Sequence, residues 1–220
     1  MVNPLFKSPI FFCLLLGITS TISVVQGSCS QLRQETTPCC FSRPFCEIKT
    51  GYFFFSDSKM RKVYDKGGLD IQLSGSYPLW NLTRRWSLEA YGAVEYFHLS
   101  GKSMNGDQKT TVWSVPINMG LRPVYAINAN TQYYFSLGPR YFYIQQHNRS
   151  PYIYKNKSRN GVGFFINTGF NYALGDHFLM DIFGDYSYAK TQFHGGNPRV
   201  YTRNIQVGGF TFGGGIGYSF

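Results

Sequence analysis

Few residues in this chain could do covalent chemistry. His98 and Ser100 are two apart, so on a strand both side chains leave the same face. A histidine base beside a serine hydroxyl is an acyl-transfer arrangement, but the base needs an acid to orient it. The nearest carboxylate, Glu95, leaves the opposite face, and the sequence offers no clear substitute. His147 and His194 are far apart without carboxylates beside them, which is weak evidence for a metal. The glycines near the C-terminus lie in a strand pattern and not before a helix, so they do not form a phosphate cradle. No catalytic residue, cofactor or metal is expected.

The cysteines carry the other candidate chemistry. Cys13 falls in a leader, while Cys29, Cys39, Cys40 and Cys46 crowd just after it and none follows. Residues 1–27 read as a secretory signal peptide: Lys7 supplies the positive start, Ile10 to Ile18 the short apolar core, and Val25 and Gly27 suit cleavage near Gly27–Ser28. The core is short for a membrane anchor, and Gln26 stands where a lipoprotein would have an apolar residue before Cys29. Four cysteines in an exported chain point to disulfides. Zinc is the rival reading, although the segment holds no histidine to complete a mixed site. Adjacent Cys39 and Cys40 make strained partners for each other, so either could pair with Cys29, Cys46 or another protein.

What must position these residues is a set of strands. Aromatic residues make up 18% of the 220 and charged residues only 15%, against about 25% charged in ordinary globular domains. Yet after the leader no apolar run approaches the roughly 20 residues of a spanning helix. Apolarity is spread over alternate residues instead. Leu69, Ile71, Leu73 and Tyr77 alternate with Asp70, Gln72, Ser74 and Ser76; Trp86, Leu88, Val94 and Tyr96 alternate with Ser87, Glu89, Glu95 and Phe97. The same period marks strands over 48–56, 69–80, 86–99, 111–122, 131–145, 161–174, 177–188 and 204–220. Phe53, Phe54 and Phe55 make both faces of the first apolar, so its orientation stays open, and Pro116, which cannot donate to the ladder, is a blemish in the fourth that a bulge would tolerate.

The ending carries a resemblance. Phe210, Phe212, Ile216, Tyr218 and Phe220 alternate with Thr211, Gly213, Gly215, Gly217 and Ser219. Gly215, Tyr218 and the terminal Phe220 resemble the C-terminal signal strand of bacterial outer-membrane β-barrels, which the barrel-assembly machinery reads; Gly213 stands where a polar residue is usual. Connections alternating long and short extend the resemblance to the plan of the OmpA membrane domain, OmpX, OmpW and opacity-type proteins over residues 48–220. The expected fold is therefore all-β, an eight-stranded antiparallel up-and-down transmembrane β-barrel. Residues 28–47 would form a periplasmic tether, both termini would lie in the periplasm and the long loops outside. Aromatic girdles are expected at Trp80, Trp86, Tyr133, Tyr172, Tyr218 and Phe220 on one side, and at Tyr96, Trp113, Tyr141, Tyr143, Tyr186 and Tyr188 on the other. The cysteine-rich tether resembles the disulfide-linked envelopes of chlamydia-like bacteria. The His98–Ser100 pair resembles that of a lipid-A deacylase family, with the acid missing.

That plan assigns the charges. Asp70, Glu89, Glu95, Arg122, Arg140, Asp181 and Asp185 face inward and should form a salt-bridged polar plug. The long loops carry an excess equal to the whole formal net charge of +10. Lys59, Arg61 and Lys62 stand in the first, Arg149, Lys155, Lys157 and Arg159 in the third, and Arg199 and Arg203 in the fourth. Lipid headgroups and lipopolysaccharide are the expected partners, with host anionic glycans or disulfide-linked envelope proteins beside them; nucleic acid is not expected. The implied role is structural or surface interaction, such as adhesion or envelope integrity. A narrow channel and a lipid-A enzyme are the alternatives.

Overall fold

The structure, a computed structural model, describes residues 43–64, 66–102, 108–148, 156–193 and 203–220. The leader, Cys29, Cys39, Cys40, Arg149, Lys155 and Arg199 lie outside these residues.

Nine strand segments make eight staves of a closed antiparallel ring. They are β1 (Phe45–Phe55), β2 (Gly68–Asn81), β3 (Trp86–Lys102), β4 (Lys109–Ala126), β5 (Thr131–Asn148), β6 (Asn156–Leu174), β7 (Phe178–Phe193), β8 (Arg203–Gln206) and β9 (Gly209–Ser219). Strands β1 to β7 pair in sequence order, and β9 closes the ring between β7 and β1. The eighth stave is not the continuous strand expected from 204. It breaks at Val207–Gly208, where a Cβ on Gly208 would strike the Ser187 carbonyl oxygen. The break does not shift register: Lys190↔Gln206 in β8 and Tyr186↔Phe210 in β9 continue one alignment along β7.

The alternation of residue types becomes an alternation of environment. Outward side chains are strongly exposed, among them Ile182 and Val162 at 70%, Ile48 at 66% and Met119 at 65%. Inward ones are buried all round the ring. An unbroken apolar exterior of this extent requires a non-aqueous solvent or a cover. No helix of the described residues is long and apolar enough to cross a membrane, and the strands supply the apolar surface instead. Outward rings pair at both ends: Trp86 with Tyr125 (4.9 Å) and Tyr133 with Phe170 (5.3 Å) near the short turns, Trp113 with Tyr143 (5.4 Å) and Phe164 with Tyr188 (5.4 Å) at the far end.

The short connections are chemically defined. Thr83 Oγ1 accepts from Arg85 N and Trp86 N, and Asn128 Oδ1 accepts from Asn130 N and Thr131 N. Gly175 turns the chain at φ 74°, where a side chain would be strained. Phe220 N donates to Pro44 O (3.0 Å), so both described ends of the barrel lie beside these short turns.

Several expectations need correction. The first strand starts at Phe45, so Cys46 is part of the barrel wall, exposed on its outer face, and residues 45–47 do not belong to a tether. The connection after β1 contains a helix, α1 (Ser58–Val63), where no helical segment was expected. Lys157 and Arg159 fall within β6 and Arg203 within β8, and Lys102 and Lys109 end β3 and β4, so the long loops are shorter than predicted and the wall taller. Pro116 makes no bulge: Val94↔Ile117 and Phe97↔Ser114 share one register across it, and the irregularity falls at Pro78/Trp80 instead.

Candidate functional site in the lumen and outer rim

The lumen is filled by two charged networks and capped by an apolar cluster. The first network lies toward the short turns and centres on Lys49. Its ammonium is 2.6 Å from Asp181 and 2.8 Å from Glu47, and it donates to the Tyr134 hydroxyl at 3.2 Å. Tyr134 donates to Asp181 at 3.0 Å. Arg122 lies 3.9 Å from both Glu47 and Glu89, with its guanidinium 3.7 Å over the Tyr134 ring and 4.8 Å from that of Phe45. Ser74 donates to Glu47 and Ser76 to Glu89. The Asn171 amide, turned to satisfy both neighbours, donates to Asp181 and accepts from Arg122, each at 2.8 Å. These residues are all but sealed from water.

Glycine makes room for this network. A Cβ on Gly215 would come 2.8 Å from Lys49 Cγ, and one on Gly217 the same distance from Glu47 Cγ. The space left by the glycines of β9 is therefore taken by its neighbour β1. Tyr91, on the far side of the lumen, packs with Ala93 and Phe165.

The second network lies farther from the short turns. Arg140 pairs with Glu95 at 2.7 Å and Asp185 at 3.4 Å. Asn118 donates to Glu95, and Gln72 donates to Asp70 at 2.8 Å. Above it sits the cap, in which Phe53, Phe55, Phe97, Leu99, Val112, Phe142 and Ile144 pack with Met60 of α1 and with Tyr64, which follows it. Phe53 and Phe97 stack with centroids 4.3 Å apart. Burial raises the Tyr64 hydroxyl pKa above its ordinary value, so it remains a neutral partner for Thr110 at 3.3 Å.

The expected inward set, Asp70, Glu89, Glu95, Arg122, Arg140, Asp181 and Asp185, is thus brought into one lumen, but as two networks. Sequence reasoning missed Glu47 and Lys49, which organise the first. Their alternation with Cys46 and Ile48 was the available signal, and the three phenylalanines downstream obscured it.

At the rim, Asp57 caps α1 by accepting from Lys59 N (2.8 Å) and Met60 N (3.2 Å), and α1 presents Lys59, Arg61 and Lys62 to solvent. The carbonyl of Val63 packs against Gly101, which brings α1 beside the β3–β4 end. There Lys102 and Lys109 are both exposed and directly opposed across the strands. Arg159 is half-buried, opposite Ile144. His98 and Ser100 are exposed on the outer face, opposite Trp113 and Thr111, while Glu95 faces inward to Arg140. At the end of β9, Tyr218 and Phe220 face outward, and Tyr218 packs on His177 (5.5 Å) and Phe178 (5.6 Å). Among the described residues no group of three or more histidine, cysteine or acidic side chains is set to hold a metal.

No family model matches the chain, and no curated protein matches it by sequence. Solved structures do. OprG from Pseudomonas aeruginosa aligns at TM-score 0.60 and 17% identity, covering 84% of this chain and 99% of OprG. Ail, the attachment invasion locus protein of Yersinia pestis, in complex with the heparin analogue sucrose octasulfate, aligns at 0.52 and 16%, covering 81% of this chain and 98% of Ail. Neisserial surface protein A aligns at 0.50 and 13%, covering 80% and 97%. The fold is that of the small bacterial outer-membrane β-barrels.

Proposed function

We propose that this protein is an outer-membrane barrel with a closed lumen and a surface-interaction role, binding anionic glycans at its basic outer rim. The observation that carries this reading is the opposition of Lys102 and Lys109 beside the Lys59, Arg61 and Lys62 face of α1. Like charges directly opposed on a sheet are destabilising unless something neutralises them. An array of phosphates or sulfates does so, and lipopolysaccharide and sulfated host glycans both present one. The heparin analogue bound to Ail, a protein of this fold, supports a sulfated ligand. In this reading the short-turn end is periplasmic, residues 1–27 are removed on export, and the segment before β1 tethers the barrel or links it through cysteines to the envelope. Gly215, Tyr218 and Phe220 are what the assembly machinery recognises.

The test uses the refolded barrel in detergent on immobilised heparin and, separately, on lipopolysaccharide. Wild-type protein should be retained and eluted by salt, since exposed charges are screened. Replacing Lys59, Arg61 and Lys62 together by Glu should abolish retention while leaving the fold intact. Passage of the wild type without retention on either matrix would overturn the proposal. Changing Phe220 to Ser checks the placement: the variant should fail to reach the outer membrane.

A further inference from the structure

The two luminal networks differ in how their charges and hydrogen bonds balance. In the first, Glu47, Glu89 and Asp181 face Lys49 and Arg122. Its unpaired buried atoms are of both kinds: the acceptor Glu47 Oε1 beside the donors Nε and Nη1 of Arg122. That network can satisfy itself with small adjustments. In the second, Asp70, Glu95 and Asp185 face one cation, Arg140, a formal excess of two negative charges. Asp185 lies within electrostatic reach of Glu95, Arg140 and Asp70. The unpaired buried atoms here are almost all oxygens: Asp70 Oδ1 and Gln72 Oε1 from β2, Asn118 Oδ1 from β4, Asn167 Oδ1 from β6 and Asp185 Oδ2 from β7. Against these five oxygens stand one amide nitrogen, Asn167 Nδ2, which faces Asp185, and the Ser136 hydroxyl opposite Asn167, too few donors for the set. All five oxygen-bearing residues are at least 95% buried.

Buried acceptors without donors, around uncompensated carboxylates, are costly in a sealed interior. A positive species relieves both faults at once. We propose that the second network is a binding site for one small, hard, oxygen-coordinated cation, held between the carboxylates of Asp185 and Asp70 with amide oxygens completing its shell. The donor set contains no histidine or cysteine, which excludes a soft transition-metal preference. No three carboxylates are grouped as direct ligands among the described residues, so the set is two carboxylates with amide oxygens. The other charged groups facing the site are Glu95 from β3 and Arg140 from β5, which remain paired with each other. The inference is independent of the glycan-binding reading.

The test is equilibrium urea unfolding of the refolded full barrel at neutral pH and fixed ionic strength. Sodium chloride and calcium chloride are compared with choline chloride, whose cation is too large for the site. One of the two small cations should lower the unfolding constant saturably, by about tenfold when its concentration is ten times its dissociation constant. Asp185→Asn and Asp70→Asn should lose that dependence, and Asp181→Asn, in the first network, should keep it. Equal stability in all three salts overturns the proposal. So does a cation effect unchanged in both variants, or a dependence on pH without one on cation, which would assign the missing charge to protons. Should the variants not fold, manganese(II), a small oxygen-preferring cation, located by anomalous diffraction in wild-type crystals decides: a peak between Asp70 and Asp185 is expected, and none there refutes the site.

Discussion

Gly213 and Arg122 show what single residues do in a barrel this full. A Cβ on Gly213 would collide with the Thr50 carbonyl oxygen and the Gly51 Cα, both backbone atoms of the facing strand, so nothing can swing away. One on Gly214 would meet only the Asp181 carbonyl oxygen, at 3.1 Å. Gly213→Ala should therefore destabilise the barrel by about 1–3 kcal/mol, as overpacking does, and Gly214→Ala by less. Unfolding midpoints followed by the heat-dependent gel shift of folded barrels would show it, and equal effects would sink the argument. Arg122 is fully buried, against the Tyr134 face and between two carboxylates. Arg122→Ala strands Glu89, while Glu47 keeps Lys49, and should cost about 3–5 kcal/mol. The pair Arg122→Met with Glu89→Gln removes one stranded charge and fills the space, so it should recover part of that loss. A double variant no better than the single one would mean that packing over Tyr134, rather than charge, sets the cost.

The strands and the one helix were unequally legible, for physical reasons. In β2 one face meets an apolar surround and the other a polar lumen, so Leu69 to Tyr77 alternate cleanly and the sequence pattern suffices. In β1 the lumen changes character along the strand, from Glu47 and Lys49 to Phe53 and Phe55 in the cap. An apolar outer face beside an apolar inner one erases the period, and with it went the two residues that organise the first network. The outward extensions were missed for the opposite reason. Around Gln145 to Asn148 the polar residues show no contrast between faces, although β5 still pairs with β6 as far as His147↔Asn156. Helix α1 was invisible because its six residues carry only Met60 as a buried anchor. Its position is fixed by tertiary contacts: Asp57 Oδ2 accepts from Gln206 N, and Gln206 donates to Ser56 Oγ at 2.7 Å. Asp57→Ala should thus weaken α1 by about 0.5–2 kcal/mol, with only the long contact from Gln206 N, at 3.4 Å, lost from the wall. Hydrogen exchange should quicken over residues 57–64 while global unfolding is unchanged; a matching global loss would show that the cap and the wall unfold as one.

Taken as a whole, the described barrel is filled at several levels, and this is the basis for reading it as a plug and not a pore. The cap fills the end away from Pro44 and Phe220, the Arg140 and Lys49 networks occupy the middle, and Phe45 packs with Ala173 and Leu179 at the short-turn end. The wall exceeds what a bilayer needs: β3 to β7 run 16 to 19 residues, against about 9–11 for a crossing strand. In the proposed outer-membrane setting the cap belongs to the length of wall beyond a crossing strand, and the charged networks stand across the middle of the lumen, where an ion would have to pass. Eight strands enclose an interior just wide enough for side chains to fill, and here they fill it. Removing the cap alone should not open a path, because Arg140 and Lys49 with their carboxylates still block it. Planar-bilayer recordings should accordingly show no reproducible openings for the wild type or for a variant with residues 58–63 replaced by a short glycine-rich link. Openings that appear in the loop variant would place the only barrier at the cap and overturn the plug. Openings in the wild type that change with Arg140→Ala would make the second network a gate in a narrow channel.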